Sequence, residues 1–221
     1  MRITWYGHAA FLVETGGTQV ILDPYRSPKS GGYLPISEPA DVVVVSHEND
    51  KYHSHLGQIV PPFEVVRGLE LPPGGAVVRG IRFEAIPVFE SPERLAGDEV
   101  TIVHFRAEGL HVVSLGDLGH ALTEEELAPI RGADVVLAAA GGPPTIDHAE
   151  LVPLLGAIGP RVVVPMHYKI DGKINLPIRP VSEFLEAMAG WPVERVEGSS
   201  FEVTPATLPA RPTIVSLRPS R

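Results

Sequence analysis

One pattern constrains this chain more than any other: short apolar runs that each stop at a residue able to bind a metal or move a proton. Residues 42–45 are four consecutive valines before Ser46-His47, and residues 83–88 lead to Glu90. In the same way 112–115 lead to Asp117 and 162–164 lead to His167. Runs so short and continuous suit strands buried on both faces. Sheet proteins place ligands beyond one set of strand ends, so residues recurring at that position type are candidates to converge in space. A lone histidine after a strand is more often an ordinary hydrogen-bonded or exposed residue; four ligand-type residues in the same place form a pattern.

The first half reads as sheet. Residues 2–25 alternate with the two-residue period of strands, and Gly16-Gly17 supplies a hairpin turn because glycine accepts positive φ. Residues 25–39 carry Pro28, Gly31, Gly32, Pro35 and Pro39, too many breakers for regular structure, and predict a long surface loop, placed to cover a site. Further strands are expected at 64–67, 76–79, 81–86, 99–105 and 110–115. From Gly116 the period changes. Thr123 with Glu126 three residues later spells a capping box and predicts a helix ending near Arg131-Gly132. Helices are expected at 147–158 and 181–189, with buried strands at 135–139 and 162–164. The result is an α/β chain with one domain over 1–205 and a loosely packed, Pro-rich tail over 206–221.

Composition narrows the chemistry. At 221 residues the chain suits one large core. Cysteine is absent, so any transition metal must be held by His, Asp and Glu, which favours hard or borderline ions, zinc first. A formal net charge of −9 leaves no basic stripe for a phosphate backbone, so nucleic acid is excluded as a partner. No apolar run reaches the roughly 18 residues of a membrane span, and the first residues lack a signal peptide's small-residue cleavage site. The expectation is a cytoplasmic protein without a membrane partner.

The ordered motifs Trp5-Tyr6-Gly7-His8-Ala9, Leu22-Asp23-Pro24-Tyr25, Val45-Ser46-His47, the stretch 114–120 followed by Leu122-Thr123, Thr145-Ile146-Asp147 and the stretch 164–169 carry a family likeness. In them the chain resembles the metallo-β-lactamase-fold hydrolases, and within these a branch that looks like ascorbate phosphate lactonase. The resemblance runs from Arg2 to about Pro180. It implies a four-layer αββα sandwich with a metal site at one edge between the sheets. It also implies a loop of pattern His-x-His-x-Asp-His that helps hold two zinc ions, which polarise a substrate oxygen and acidify a water.

By that resemblance His47 matches the first histidine of the loop, Asp117 the bridging carboxylate and His167 the final histidine. The rest departs: Asn49 stands at the second histidine, Lys51 at the aspartate, Tyr52 at the last histidine, and Glu90 where a later histidine is expected. A neutral amide is a poor zinc ligand, and an ammonium beside an ion costs Coulomb energy unless it replaces that ion. The loop is degenerate, and three readings of it stay open. A one-residue shift lets Asp50 and His53 do the work of the Asp-His pair, so that one ion is held by His47, His53, Asp117, His167 and Glu90. Alternatively Lys51 fills the place of a cation and leaves a metal-free pocket, or the loop is a solvated turn.

The function expected is a metal-dependent hydrolase of a small anionic ester or lactone, with zinc, one ion rather than two, and Mn, Fe or Ni as substitutes. Asp117 serves as ligand and general base, and Lys51 or Tyr52 steadies the substrate oxygen. The alternative is a non-catalytic ligand-binding protein of the same fold. His8 and His120 line the pocket or fix neighbouring loops, with Asn49 beside them. Asp23 turns the chain toward the loop, Asp147 and Thr145 cap a helix, and His148 is expected on that helix's exposed side. His104 and His111, away from strand ends, read as structural or solvent-facing. A Pro-rich tail could dock on a second copy, making a homo-oligomer.

Overall fold

The computed structural model describes residues 1–221. Its strands are β1 (Arg2–Gly7), β2 (Ala10–Thr15), β3 (Thr18–Leu22), β4 (Val42–Val45), β5 (Glu64–Arg67), β6 (Ala76–Val78), β7 (Ile81–Phe89), β8 (Glu99–Ala107), β9 (Leu110–Ser114), β10 (Val135–Ala139), β11 (Val162–Met166), β12 (Val193–Arg195), β13 (Ser200–Glu202) and β14 (Thr213–Ser216). The helices are α1 (Glu124–Leu127), α2 (His148–Ile158) and α3 (Val181–Ala187). The strands form two sheets, ordered β13-β1-β2-β3-β4-β5 and β12-β14-β11-β10-β9-β8-β7-β6.

Alternation explains the layering. Along the first sheet Ile3, Trp5, Phe11, Val13, Val20, Leu22, Val42 and Val44 join the core shared with the second sheet. Their neighbours Tyr6, Leu12, Ile21 and Val43 point the other way, into a second apolar cluster with Tyr25, Tyr33 and Ile36. That outer layer comes from the loop over 24–40 and the segment near Ile174 and Ile178, not from helices. The α/β sandwich of two sheets is therefore present, with helices over the second sheet and loops over the first. Breakers in 25–39 preclude a helix there yet leave enough apolar side chains to cover a sheet face.

Strand direction places the site. The pairs β1–β2 and β2–β3 are antiparallel and β3–β4 is parallel, so β1, β3 and β4 all end at the same edge. In the second sheet β9, β10 and β11 run parallel, and β7 shares their direction through two antiparallel pairings. One edge of the sandwich thus collects the residues just past seven strands.

Two expectations change. The tail is not loose: Thr213–Ser216 is strand β14, inserted between β11 and β12 with Ile214, Val215 and Leu217 buried. Its short Ile-Val pair sits between prolines, too brief a signal to outweigh the breakers around it. The helix begun by Thr123 does carry its capping box, with Thr123 Oγ1 accepting from Glu126 N and Glu126 accepting from Thr123 N, but it lasts one turn before tightening over 128–130.

Candidate metal centre

Four strand ends deliver five side chains to one buried point. His8 follows β1, His47 and His53 follow β4, Asp117 follows β9 and His167 follows β11. His47 Nδ1 lies 3.0 Å from Asp117 Oδ2, His53 Nε2 lies 2.7 Å from the same oxygen, and His167 Nε2 lies 3.5 Å from Asp117 Oδ1. The His8 ring packs 4.2 Å from that of His167 and 5.2 Å from that of His53, centroid to centroid. Ligand atoms of His8, His53 and His167 all fall within 4.8 Å of one another, as do those of His47, His53 and Asp117.

The backbone is bent to achieve this. His8, Asp23 and His167 hold φ of 50°, 45° and 50°, left-handed values that non-glycine residues rarely adopt and that concentrate at functional sites. His8 is held there by its carbonyl, which accepts from Trp5 Nε1 and from the His167 backbone N–H. Gly7 allows the turn: at φ 136°, a Cβ would meet Tyr33 Cε1 at 2.4 Å. Asp23, buried at the end of β3, accepts from Ser46 N at 2.7 Å and Ser46 Oγ at 2.8 Å. The Ser46 carbonyl in turn accepts from Thr101 N and Oγ1 on β8. The residue before His47 is therefore tied to both sheets.

The donor set suits a metal. Both ring nitrogens of His8, Nδ1 of His167 and Oδ1 of Asp117 are buried without a hydrogen-bond partner. His53 Nε2, although close to Asp117, is not aligned for a hydrogen bond. Buried polar groups are normally satisfied, so a cluster of orphaned nitrogens and a carboxylate oxygen needs an occupant. Imidazole with carboxylate is the ligand chemistry of zinc and its borderline neighbours. Burial, reinforced by the surrounding histidines, holds His8 well below the usual range, and burial also lowers His167, so both stay neutral and keep a lone pair for an ion. Burial pulls His53 down too, but the Asp117 carboxylate overrides it and pushes His53 up to about 10. Burial would raise Asp117, and the charge of His53 with the hydrogen bond from His47 instead holds it well below the usual carboxylate range. An ion bound there would compete with the His53 proton.

Other expected site residues stand elsewhere. Asp50 is exposed, paired with Arg26 at 2.8 Å and His55 at 2.9 Å, so it does not join His53 in the cluster. Lys51 is exposed, with Nζ 4.7 Å from the Tyr52 ring centroid, and does not fill a cation's place. A long, strongly hydrated side chain stays in water when the cluster already has a positive partner in His53. Tyr52 reaches the cluster's rim, 5.1 Å from the His8 ring. Asn49 builds the turn, its carbonyl accepting from the backbone of Tyr52, His53 and Ser54 and its Oδ1 from Lys51 N. That five-residue turn carries His53 back under His47. Glu90 is half-buried and outside both ligand groups, although burial and Asp117 raise its pKa. His120 is spent on the loop, its Nε2 accepting from Phe89 N and its Nδ1 donating to the Ala121 carbonyl.

One outlying expectation is corrected, that of His148, while His104 and His111 take the structural of their two readings. His148 is buried, not exposed, with its Nε2 2.8 Å from the Ala140 carbonyl. His104 and His111 are buried against each other. His8, expected to line the pocket or fix its loop, stands one residue past β1 and brings a ring nitrogen within 4.8 Å of those of His53 and His167.

Residues 2–167 match the family profile described as the beta-lactamase superfamily domain. The chain belongs to this superfamily. Within the superfamily it is 29% identical over 201 residues to a UPF0173 metal-dependent hydrolase of Opitutus terrae, covering 80% of this chain and 88% of that one. It is 27% identical over 192 residues to a UPF0173 protein of Pyrococcus abyssi, covering 78% and 85%. Among solved structures, a Thermotoga maritima protein described as a Zn-dependent hydrolase of the metallo-β-lactamase superfamily superposes with TM-score 0.77 at 28% identity, over 98% of this chain and 97% of that one. A metallo hydrolase of Ignicoccus hospitalis shares the fold at TM-score 0.65 and 20% identity, covering 100% and 96%. No helix of this superfamily member is long and apolar enough to cross a membrane.

Proposed function

We propose that the chain is a metal-dependent hydrolase that opens a small ester or lactone at the cluster of His8, His47, His53, Asp117 and His167. The convergence of these side chains, with both ring nitrogens of His8 and of His53, Nδ1 of His167 and Oδ1 of Asp117 buried and unpartnered, is the observation that carries the reading. The names of the similar proteins from Opitutus terrae and Thermotoga maritima agree with it. Because His53 belongs to both ligand groups, the two cannot fill independently, and one ion is the reading we adopt, zinc first and Mn, Fe or Ni as substitutes.

A bound zinc would supply Lewis acidity and lower the pKa of a water toward neutrality. Asp117, with Oδ1 free of other bonds, accepts the proton of the attacking water. Tyr52, at the rim beside His8, is placed to donate to the substrate carbonyl oxygen; Lys51 is withdrawn from that role. A cleft of about 480 Å³ adjoins Glu90 and is lined also by Glu93, Asp98, Asp147 and Glu150. Like charges there disfavour an anion, so the portion of substrate that fills the cleft is neutral or cationic, a revision of the anionic ester first expected. The non-catalytic alternative relied on Lys51 in place of an ion and loses that support.

The test is metal content after purification without added zinc or chelator, followed by turnover of neutral and phosphorylated lactones with metal restored. Retained zinc that His47→Ala and Asp117→Ala both abolish, with neutral lactones preferred, fits the reading. Failure to hold any of the four metals at micromolar levels sinks it.

A further inference from the structure

A second pair of histidines lies far from this centre, on the opposite face of the second sheet. Thr101 of β8 reaches inward to Ser46, and Phe105, of the same parity, sits in the shared core. The intervening residues Ile102, His104 and Arg106 therefore face outward. Register places Glu84 of β7 directly opposite His104, and His111 of β9 opposite Arg106, diagonal to His104. Both histidines are buried, 6% and 1% exposed, although they face away from the first sheet.

Their contact is poor as a hydrogen bond. His111 Nε2 stands 3.4 Å from His104 Nδ1, beyond the usual 2.7–3.2 Å, while His111 Nδ1 is buried without a partner. Two nitrogens bound tetrahedrally at about 2.0–2.1 Å from one zinc stand roughly 3.3–3.4 Å apart, the separation seen here. We propose that His104 Nδ1 and His111 Nε2, with the Glu84 carboxylate as third ligand, form a second site for a single divalent ion of the zinc class.

The surroundings support it. Burial, with Arg106 acting in the same direction, pushes His111 down to about 4, and burial lowers His104 against the pull of Glu84, so both rings are neutral and able to ligate. Glu84 is half-buried beside His104; it is not drawn up to both nitrogens, and closing the triad takes a rotation of its side chain. On the other side Asp134 accepts the His111 backbone N–H at 2.8 Å, fixing the start of β9 and adding negative charge. Arg106 is the one opposing cation, and it is exposed and free to turn into water. No sulfur is needed.

Zinc equilibrium dialysis of the full chain tests the site independently of activity. His104→Ala should bind one zinc fewer per chain than the unsubstituted protein while keeping lactone turnover, and His47→Ala should retain that same ion. Glu84→Gln should raise the zinc dissociation constant of this site about tenfold or more. Should the buried His111→Ala variant fail to fold, His104→Gln and Glu84→Gln carry the test alone. An unchanged zinc count in His104→Ala, or loss of all zinc in His47→Ala, overturns the second site, whichever way the primary centre is decided.

Discussion

Removing the Asp23 carboxylate, which lies outside both ligand groups but 3.9 Å from His53 Nδ1, should damage the metal centre. Asp23 is 1% exposed and takes both the backbone N–H and the hydroxyl of Ser46, the residue before His47. In Asp23→Ala both donors lose their partner inside the protein. A buried unsatisfied group costs about 1–3 kcal/mol, so two cost about 4 kcal/mol. For a chain of this length that is a fall in Tm of roughly 8–16 °C. Asp23→Asn keeps an acceptor for the N–H, lets the serine hydroxyl rotate to accept, and tolerates the left-handed φ of 45°; it should cost only about 1 kcal/mol. Thermal unfolding of metal-free protein, together with zinc affinity by chelator competition, reads both effects. Zinc affinity should fall about 10–100-fold in the alanine variant, the range known for groups that orient ligands. An Asp23→Ala protein as stable as its parent, with unchanged zinc affinity, would refute the idea that Ser46 sets the position of His47.

Gly7→Ala should cost about 2–4 kcal/mol and loosen His8, because its Cβ meets the Tyr33 ring while φ stays strongly positive; unchanged urea unfolding would contradict this. Lys51→Ala should leave the bound zinc count unchanged, since its ammonium lies over Tyr52 and outside the cluster, and loss of zinc in dialysis would restore Lys51 to the site. Stability of the metal-free protein should decline as pH falls from about 6.5 toward 4. In that window the unfolded chain protonates His111 and the folded chain does not, so the unfolded state binds more protons and gains on acidification. His111→Gln should flatten that part of a pH series of denaturation midpoints.

The sheets were legible because their signal is local: alternation in β1 to β3, valine runs in β4 and β11, and a hairpin at Gly16-Gly17 all act over a few residues. The strand-end rule also located His47, Asp117 and His167. It could not fix the loop after β4, where Asp50 and His53 were equally available and only three-dimensional closure through the Asn49 turn brings one inward and leaves the other in water. Strand β14 was hidden for the opposite reason, since its place is set by distant partners. His148 was misread because helix periodicity does not reveal that the Ala140 carbonyl waits for its ring.

The insertion of β14 between β11 and β12 has a consequence for biosynthesis. As the chain leaves the ribosome, β12 emerges about twenty residues before the strand that joins it to the sheet, and until then it is an unpaired edge. The same late segment ends with Ser220 N and Arg221 N bonded to the Trp5 and Tyr6 carbonyls, just ahead of His8. The turn that carries His8 is thus braced at its approach only after residues 220 and 221 have been made.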